Sequence, residues 1–170
     1  MTRIKVMDED LSNKIAAGEV VEKAANVVKE LVENSIDAQS KTIKIELINS
    51  GLKEIMITDD GIGMNHEDAL LAFKRHATSK IYKLEDLFFI NSLGFRGEAL
   101  PSIASVSKVS LRTSDGKEGT YLEINGGKLE NTPSCDLRKG TIVTVRDLFY
   151  NTPARLKYLK SEVTELSYIS

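Results

Sequence analysis

The chain has 170 residues, a length that suits a single domain with a buried core. Hydrophobic residues make up 41% and charged residues 28%, which excludes disordered, fibrous and disulfide-rich proteins. The net charge of −2 argues against a surface that coats nucleic acid, so any contact with DNA would need a local basic patch.

Two further features predict an intracellular protein, cytoplasmic if bacterial and nuclear if eukaryotic. No apolar run approaches the roughly 20 residues of a membrane span, and the N-terminal stretch MTRIKVMDEDL lacks the apolar segment of a signal peptide. The single cysteine, Cys135, has no partner for an internal disulfide, and with His66 and His76 alone it indicates no zinc site.

The first predicted element is a long amphipathic helix from Val20 to Ala38. Its apolar residues recur at helical spacing, at Val21, Ala24, Ala25, Val28, Leu31, Val32 and Ile36. Valine is a mediocre helix former, so packing of this stripe rather than intrinsic propensity must hold the helix.

A β-hairpin is predicted next. Alternating apolar residues mark strands at 42–48 and 53–58, and Ser50-Gly51 supplies the turn between them. A shorter helix is predicted from His66 to Arg75, with Asn65 as its N-cap. Residues 76–93 show no clean period and are predicted to form a long surface loop.

The second half of the chain is predicted to be mostly strands. A short helix at 98–105, with Pro101 in its first turn, precedes them. Strands are expected at 106–113, 120–125, 128–131 and 141–148, separated by glycine turns, and this pattern is typical of an antiparallel meander. From Arg155 onward, apolar residues return to helical spacing without a stop signal.

These elements predict an α+β fold, a two-layer sandwich in which helices cover one face of a mostly antiparallel, mixed sheet. A doubly wound parallel sheet is disfavoured. We expect one domain at 1–154, followed at 155–170 by a helix that leads toward a second domain.

One side of the first helix carries oxygen-bearing side chains. Glu30, Asn34 and Asp37 lie within roughly 60° of one another at about 100° per residue. They are either the ordinary solvated face of the helix or the rim of a pocket. In a pocket, an amide oxygen beside carboxylates would suit Mg²⁺, and a carboxylate one turn away could accept a proton from water.

The stretch ITDDGIGM, residues 57–64, ends a strand in two acids and two glycines. Asp59 could accept a hydrogen bond from an exocyclic amine, while Gly61 and Gly63 would let backbone approach a flat ring. An ordinary turn with solubilising acids is the alternative. No G-x-x-x-x-G-K-[ST] loop occurs, and His66 stands where a dinucleotide fingerprint needs its third glycine.

A third motif, GFRGEAL at 94–100, brackets a turn with glycines before a helix. Its backbone N–H groups could bind a phosphate, although a helix C-cap followed by a turn would look the same.

Together the three motifs resemble the GHKL ATPases, which include DNA gyrase B, heat-shock chaperones, histidine kinases and the MutL mismatch-repair family. Within that group, five blocks in order resemble MutL specifically: AAGEV at 16–20, ELVENSIDA at 30–38, RHATSK at 75–80, GFRGEAL at 94–100 and FYNTPAR at 149–155.

The resemblance implies a Bergerat-fold ATPase that uses ATP and Mg²⁺. It implies that Glu30 polarises the attacking water and that Asn34 binds Mg²⁺. It also implies that Asp59 receives the adenine amino group, in a pocket shaped by Gly61 and Gly63 with Thr141 nearby. The remaining nucleotide contacts that it implies are Asp37 and Ala38, together with an ATP lid carrying Thr78, Ser79 and Lys80 at one end and Gly94, Phe95, Arg96, Gly97, Glu98, Ala99 and Leu100 at the other.

The chain departs from the family pattern at three positions. Ala24 stands where many members have proline, Gln39 stands where glycine usually follows the Asp-Ala pair, and Pro101 follows the GFRGEAL block. Relatives also continue into a second domain, which supplies a lysine to the γ-phosphate, and into a dimerisation region.

The resemblance further implies partners, namely a second copy in an ATP-dependent dimer, a mismatch-recognition protein of the MutS type, and DNA through the full-length dimer. Three alternatives stay open: a nucleotide-gated binding module with little turnover, another GHKL enzyme, and a DNA-binding module built on Arg155, Lys157 and Lys160.

Overall fold

The computed structural model describes residues 21–74, 99–131 and 138–153, together with Ile169. The first helix, α1, spans Ala24–Asp37. It begins after the predicted Val20, with Lys23 as its N-cap: the Asn26 Oδ1 atom reaches back and accepts the backbone N–H groups of Glu22 at 3.1 Å and Lys23 at 2.9 Å.

The face of α1 that packs on the sheet differs from the predicted stripe in the middle and at one end, since Val27 is buried while Ala25 and Val32 are only half-buried. Its buried residues are Ala24, Val27, Val28, Leu31 and Ser35. Ile36, predicted to be part of the stripe, is 51% exposed. Ser35 takes its place because it follows Leu31 by one helical turn and therefore lies on the same row.

The C-terminus of α1 ends in a Schellman motif. The Ser40 N–H donates to the Ser35 carbonyl at 3.2 Å, and the Gln39 N–H donates to the Ile36 carbonyl at 3.0 Å. Gln39 occupies the left-handed position of this motif with φ at +62°. Gln39 therefore replaces the family's usual glycine at a position where glycine would be the least strained residue.

The predicted hairpin is confirmed. Strands β1 (Ile43–Ile48) and β2 (Glu54–Asp59) pair antiparallel, with Ile45 opposite Ile57. Their connection turns through Asn49–Gly51, whose three residues all have positive φ, at 52°, 54° and 92°.

The remaining strands are β3 (Lys108–Ser114), β4 (Gly119–Asn125), β5 (Lys128–Asn131) and β6 (Gly140–Arg146). The sheet order is β1-β2-β6-β3-β4-β5, and every pairing between these strands is antiparallel. The predicted meander holds for β3, β4 and β5 but is wrong for β6, which inserts between β2 and β3. A central position suits β6, since Thr144 on one face and Val143 and Val145 on the other are all buried.

Two apolar rows cross the core-facing side of the sheet. One row joins Ile55, Val145, Val109 and Ile124, and the next joins Ile57, Val143, Leu111 and Leu122. The third row along the same face is polar, and it joins Asp59, Thr141, Thr113 and Thr120. At this end of the sheet, the apolar core therefore borders a row of side chains that carry oxygen atoms.

Two short helices complete the covering layer. Helix α2 spans His66–Leu71, and Asn65 caps it as predicted by accepting the Asp68 N–H at 2.8 Å, although the helix stops short of the predicted Arg75. Helix α3 spans Ala99–Ser105, with Pro101 in its first turn.

All three helices bury side chains in a single core cluster with the two apolar rows of the sheet. Because those rows occupy one face, the helices cover that face, and the two-layer α+β prediction is confirmed. No helix within the described residues is long and apolar enough to cross a membrane.

Several predictions fall outside the described residues: the loop at 76–93, the environment of Cys135 and the helix from Arg155. The division of the chain at residue 154 stays a prediction.

Candidate functional site

The polar row lies where the ends of β2, β6 and β3 meet the C-terminal half of α1. Asp59 is directly opposite Thr141, and Thr141 is opposite Thr113. Directly opposed residues in an antiparallel sheet have Cβ atoms about 5 Å apart and share a face. The three side chains therefore lie side by side, next to Ser35 on the helix.

Asp59 is the acidic end of this row. Its Oδ2 atom accepts the Ser35 hydroxyl at 2.7 Å, and its Oδ1 atom accepts the Gly61 N–H at 2.9 Å. A carboxylate offers about four acceptor positions, so the half-buried Asp59 can take a further donor. Asp59 follows Ile55 and Ile57 at a spacing of two residues along β2, so its side chain lies on the same face as theirs, the core side.

The neighbouring acid, Asp60, has a different environment. It is exposed, and its Oδ1 atom accepts the backbone N–H groups of Lys41 at 2.8 Å and Thr42 at 2.9 Å. The hydrogen bonds from Thr42 and then Lys41 hold the pKa of Asp60 below its ordinary value. The two adjacent acids therefore have different roles. Asp60 holds the loop against the start of β1, and the Asp59 side chain lies in the candidate site.

The two glycines after these acids are required by contacts within the chain. A Cβ atom on Gly61 would lie 2.6 Å from the Ala38 carbonyl oxygen. Gly63 has a φ of +67°, and a Cβ atom there would lie 1.7 Å from the Ser114 carbonyl oxygen. The Ile62 N–H also donates to the Ala38 carbonyl at 2.9 Å, which joins this loop to the end of α1.

A buried hydroxyl connects the loop to β6. Thr113, 1% exposed, accepts the Met64 N–H on its Oγ1 atom at 3.0 Å. The same atom lies 2.9 Å from Thr141 Oγ1 and 3.2 Å from the Gly140 carbonyl oxygen. Thr113 therefore contacts both the loop after Asp59 and the residue opposite Asp59.

Glu30, Asn34 and Asp37 are all half-buried, beside the buried stripe of α1. Lys29, on the outer side of the same helix, is exposed. The strip therefore lies at the border of the packed face, as a pocket rim requires.

The structure describes ten of the predicted site residues. It brings Asp59, Gly61 and Ala38 together and places Thr141 beside Asp59. At the start of α3, Ala99 and Leu100 are half-buried, and the Leu100 side chain packs on the core. The predicted contacts Thr78, Ser79, Lys80, Gly94, Phe95, Arg96, Gly97 and Glu98 lie outside the described residues.

Sequence reasoning missed two residues of this arrangement, Ser35 and Thr113. Ser35 carried a usable signal, because it continues the helical row through Val28 and Leu31. Thr113 carried none, since its place beside Thr141 depends on the pairing of β3 with β6.

A family model for histidine kinase-, DNA gyrase B- and HSP90-like ATPases matches residues 22–146, a range that contains every described residue of the site. The chain belongs to this family. The resemblance to the GHKL ATPases is thereby confirmed, and with it the fold.

Within the GHKL family, the chain is similar to MutL proteins along its whole length. It is 58% identical to the DNA mismatch repair protein MutL of Caldanaerobacter subterraneus subsp. tengcongensis, of which it covers 29%. It is also 58% identical to MutL of Koribacter versatilis, of which it covers 27%. The chain thus spans less than a third of the curated relatives it matches.

Solved structures agree with this similarity. The N-terminal domain of a DNA repair protein matches 92% of the chain with a TM-score of 0.76 at 31% identity, and the chain covers 45% of that structure. The Aquifex aeolicus MutL ATPase domain complexed with ADP matches 88% of the chain with a TM-score of 0.68 at 36% identity, and 52% of it is covered.

Proposed function

We propose that the chain is the N-terminal, ATP-binding and ATP-hydrolysing domain of a MutL-like DNA mismatch-repair protein. The observation that carries this proposal is the Asp59 carboxylate, held on the core side of β2 by Ser35 and Gly61 and opposed by Thr141. The similar domain of Aquifex aeolicus MutL is described as a complex with ADP.

In this proposal Asp59 recognises adenine. A carboxylate that keeps acceptor capacity after two hydrogen bonds suits the exocyclic amine of that base. Guanine would present its exocyclic carbonyl oxygen to the same carboxylate, and this would leave two acceptors facing each other. Gly61 and Gly63 let the loop beside Asp59 pass close to the Ala38 and Ser114 carbonyl oxygens, where a Cβ atom would collide.

The polar residues along one side of α1, Glu30, Asn34 and Asp37, would lie near the phosphates. Asn34 offers an amide oxygen to Mg²⁺, an ion that typically takes one or two protein ligands and keeps water and substrate phosphates as the others. When bound, Mg²⁺ would neutralise charge on the phosphates.

Glu30 lies one helical turn before Asn34 and is half-buried. From there its carboxylate would orient the attacking water and accept its proton. Phosphoryl transfer needs little covalent chemistry from the protein, so positioning of water and phosphates would supply most of the rate.

In the whole protein, ATP binding would bring two such domains together. The dimer would pass mismatch detection from a MutS-type protein to later repair steps on DNA, and hydrolysis would reset it. The competing function is a binding module in which ATP acts as a switch and turnover is incidental. A sensor kinase or topoisomerase is disfavoured by the similarity to MutL along the whole of this chain.

The test is calorimetric binding of ATP to the chain, with and without Mg²⁺, for the wild type, Asp59→Ala and Asp60→Ala. We expect Mg²⁺-dependent binding by the wild type and a loss of at least about tenfold in affinity for Asp59→Ala, since a charge-assisted hydrogen bond is removed. Asp60→Ala is the matched control, because among the described residues this neighbouring acid accepts the backbone N–H groups of Lys41 and Thr42, just before β1.

Equal affinities for the two variants would contradict adenine recognition by Asp59. Absence of ATP binding by a folded wild-type chain, shown by circular dichroism, would contradict the proposed function of this chain.

A further inference from the structure

We propose that Glu118, on the turn between β3 and β4, is a positioning residue for the loop that borders the candidate site. This β2–α2 loop comprises residues 60–65 and carries Gly61 and Gly63. The inference rests on the proposed function and adds a residue that lies outside the polar row of the sheet.

Three backbone N–H groups at alternate positions tie the β2–α2 loop and the start of α2 to three different parts of the fold. The acceptors belong to the end of α1, to β3 and to the β3–β4 turn. The bonds run from Ile62 to the Ala38 carbonyl at 2.9 Å, from Met64 to Thr113 Oγ1 at 3.0 Å and from His66 to Glu118 Oε1 at 2.7 Å.

Glu118 differs from the other two acceptors in its exposure. Ala38 accepts with its backbone carbonyl and Thr113 is 1% exposed, so both are fixed by the packed fold. Glu118 accepts with an exposed side chain. Its loss would leave the fold intact, because water can replace it as the acceptor for the His66 N–H, but it would release this end of the loop.

The β3–β4 turn, residues 115–118, holds Glu118 against the loop. Asp115 Oδ1 accepts the Lys117 N–H at 2.9 Å and the Glu118 N–H at 3.0 Å, which fixes the backbone of the turn. The loop also passes close to the end of β3, since a Cβ atom on Gly63 would collide with the Ser114 carbonyl oxygen. The end of β3 and its turn therefore contact the loop at two points.

The position of the loop bears on the proposed ATP site through Asp59. The Gly61 N–H, which belongs to the loop, donates to Asp59 Oδ1 at 2.9 Å. A segment that is already ordered binds a ligand with a smaller loss of conformational freedom than a mobile one. Glu118 would therefore strengthen ATP binding by ordering the loop beforehand, acting through the loop rather than on the nucleotide.

The experiment measures ATP affinity by calorimetry for the wild type, Glu118→Ala, Glu118→Gln and Glu67→Ala. Glu118→Ala should weaken ATP binding by about three- to tenfold, the range that one hydrogen bond contributes. Glu118→Gln should keep the wild-type affinity, because its amide oxygen can still accept the His66 N–H. Glu67→Ala is the matched control, since Glu67 is an exposed acid next to His66 in the first turn of α2.

Amide hydrogen exchange and urea denaturation separate positioning from a merely structural role. Without nucleotide, the His66 N–H should exchange faster in Glu118→Ala than in the wild type, while the urea midpoint stays the same. If Glu118 only caps α2, Glu118→Ala would lower the urea midpoint and leave ATP affinity unchanged, and this result would overturn the proposal.

Equal weakening of ATP binding by Glu118→Gln or Glu67→Ala would also overturn the proposal, because the effect would then come from charge rather than from the hydrogen bond. Wild-type binding with an unchanged affinity in Glu118→Ala removes this inference alone. Failure of the wild type to bind ATP is a different result, because it removes the proposed function together with this inference.

Discussion

At the scale of single residues, the candidate site depends on which of two residues adjacent in sequence has its side chain on the core side. Asp59 and Asp60 are adjacent acids, yet Asp60 bonds backbone on the surface and Asp59 bonds Ser35 inside. Ser35 and Ile36 show the same division on α1, where the polar residue is buried and the apolar one is exposed. In each pair the strand or helix geometry, rather than hydrophobicity, decides which side chain faces the site.

Gln39 gives the first prediction at this scale. It is held at φ +62° as the left-handed residue of the α1 Schellman motif, a conformation that strains every residue with a Cβ atom. Gln39→Gly should raise the free energy of unfolding by about 0.5–1 kcal/mol, while Gln39→Ala should leave it nearly unchanged. Urea denaturation of the two variants measures this, and equal stabilities would show that the left-handed position carries no strain.

At the scale of elements, α1 contacts both the hydrophobic core and the polar residues of the candidate site. Its buried row begins with Ala24 and Val28, continues through Leu31, and ends in Ser35 at the Asp59 carboxylate. Glu30 and Asn34 lie along the border of the same face. Packing of the apolar part therefore fixes the rotation of the helix, and that rotation places the polar residues.

The second prediction tests this rotation. Leu31→Ala should cost about 2–5 kcal/mol in the free energy of unfolding, because Leu31 is 2% exposed and would leave a cavity. Ile36→Ala should cost less than about 1 kcal/mol, since Ile36 is 51% exposed. Chemical denaturation compares the two variants. A larger loss for Ile36→Ala would mean that α1 presents the face first expected from the apolar pattern.

At the scale of the whole molecule, the sheet order brings distant segments of sequence into one site. Strand β6 inserts between β2 and β3, and this places Thr141 between Asp59 and Thr113. Helix α1 then covers the end of this row. The nucleotide site proposed here therefore exists only when both layers are assembled.

The third prediction concerns turnover by the assembled protein. In the full-length protein, Glu30→Ala should abolish ATP hydrolysis while changing ATP affinity by less than about threefold, because Glu30 is proposed to act on the water rather than on the nucleotide. Glu33→Ala is the control, since Glu33 lies on the same helix, pairs with the exposed Lys29 at 3.9 Å and is not among the predicted site residues.

Steady-state hydrolysis and calorimetry give both quantities for these variants. Retained hydrolysis in Glu30→Ala would contradict the assigned role and favour another base.

The sequence by itself predicted most elements of this protein and several residues of its candidate site. Periodicity predicted α1, the hairpin and the later strands, because the spacing of apolar residues along the chain follows local geometry. The motif at 57–64 indicated Asp59, and blocks of sequence indicated the family. All of these signals are contained in short stretches of the chain.

Only the tertiary structure decided where β6 pairs and which polar side chains it brings together. The place of β6, the burial of Ser35 and the contact between Thr113 and Thr141 all depend on residues far apart in sequence. An alternating strand gives no information about its neighbour, because the same pattern fits a central and a terminal position in a meander. Register and sheet order are set by packing of the whole core, and they bring Asp59, Thr141 and the end of α1 together.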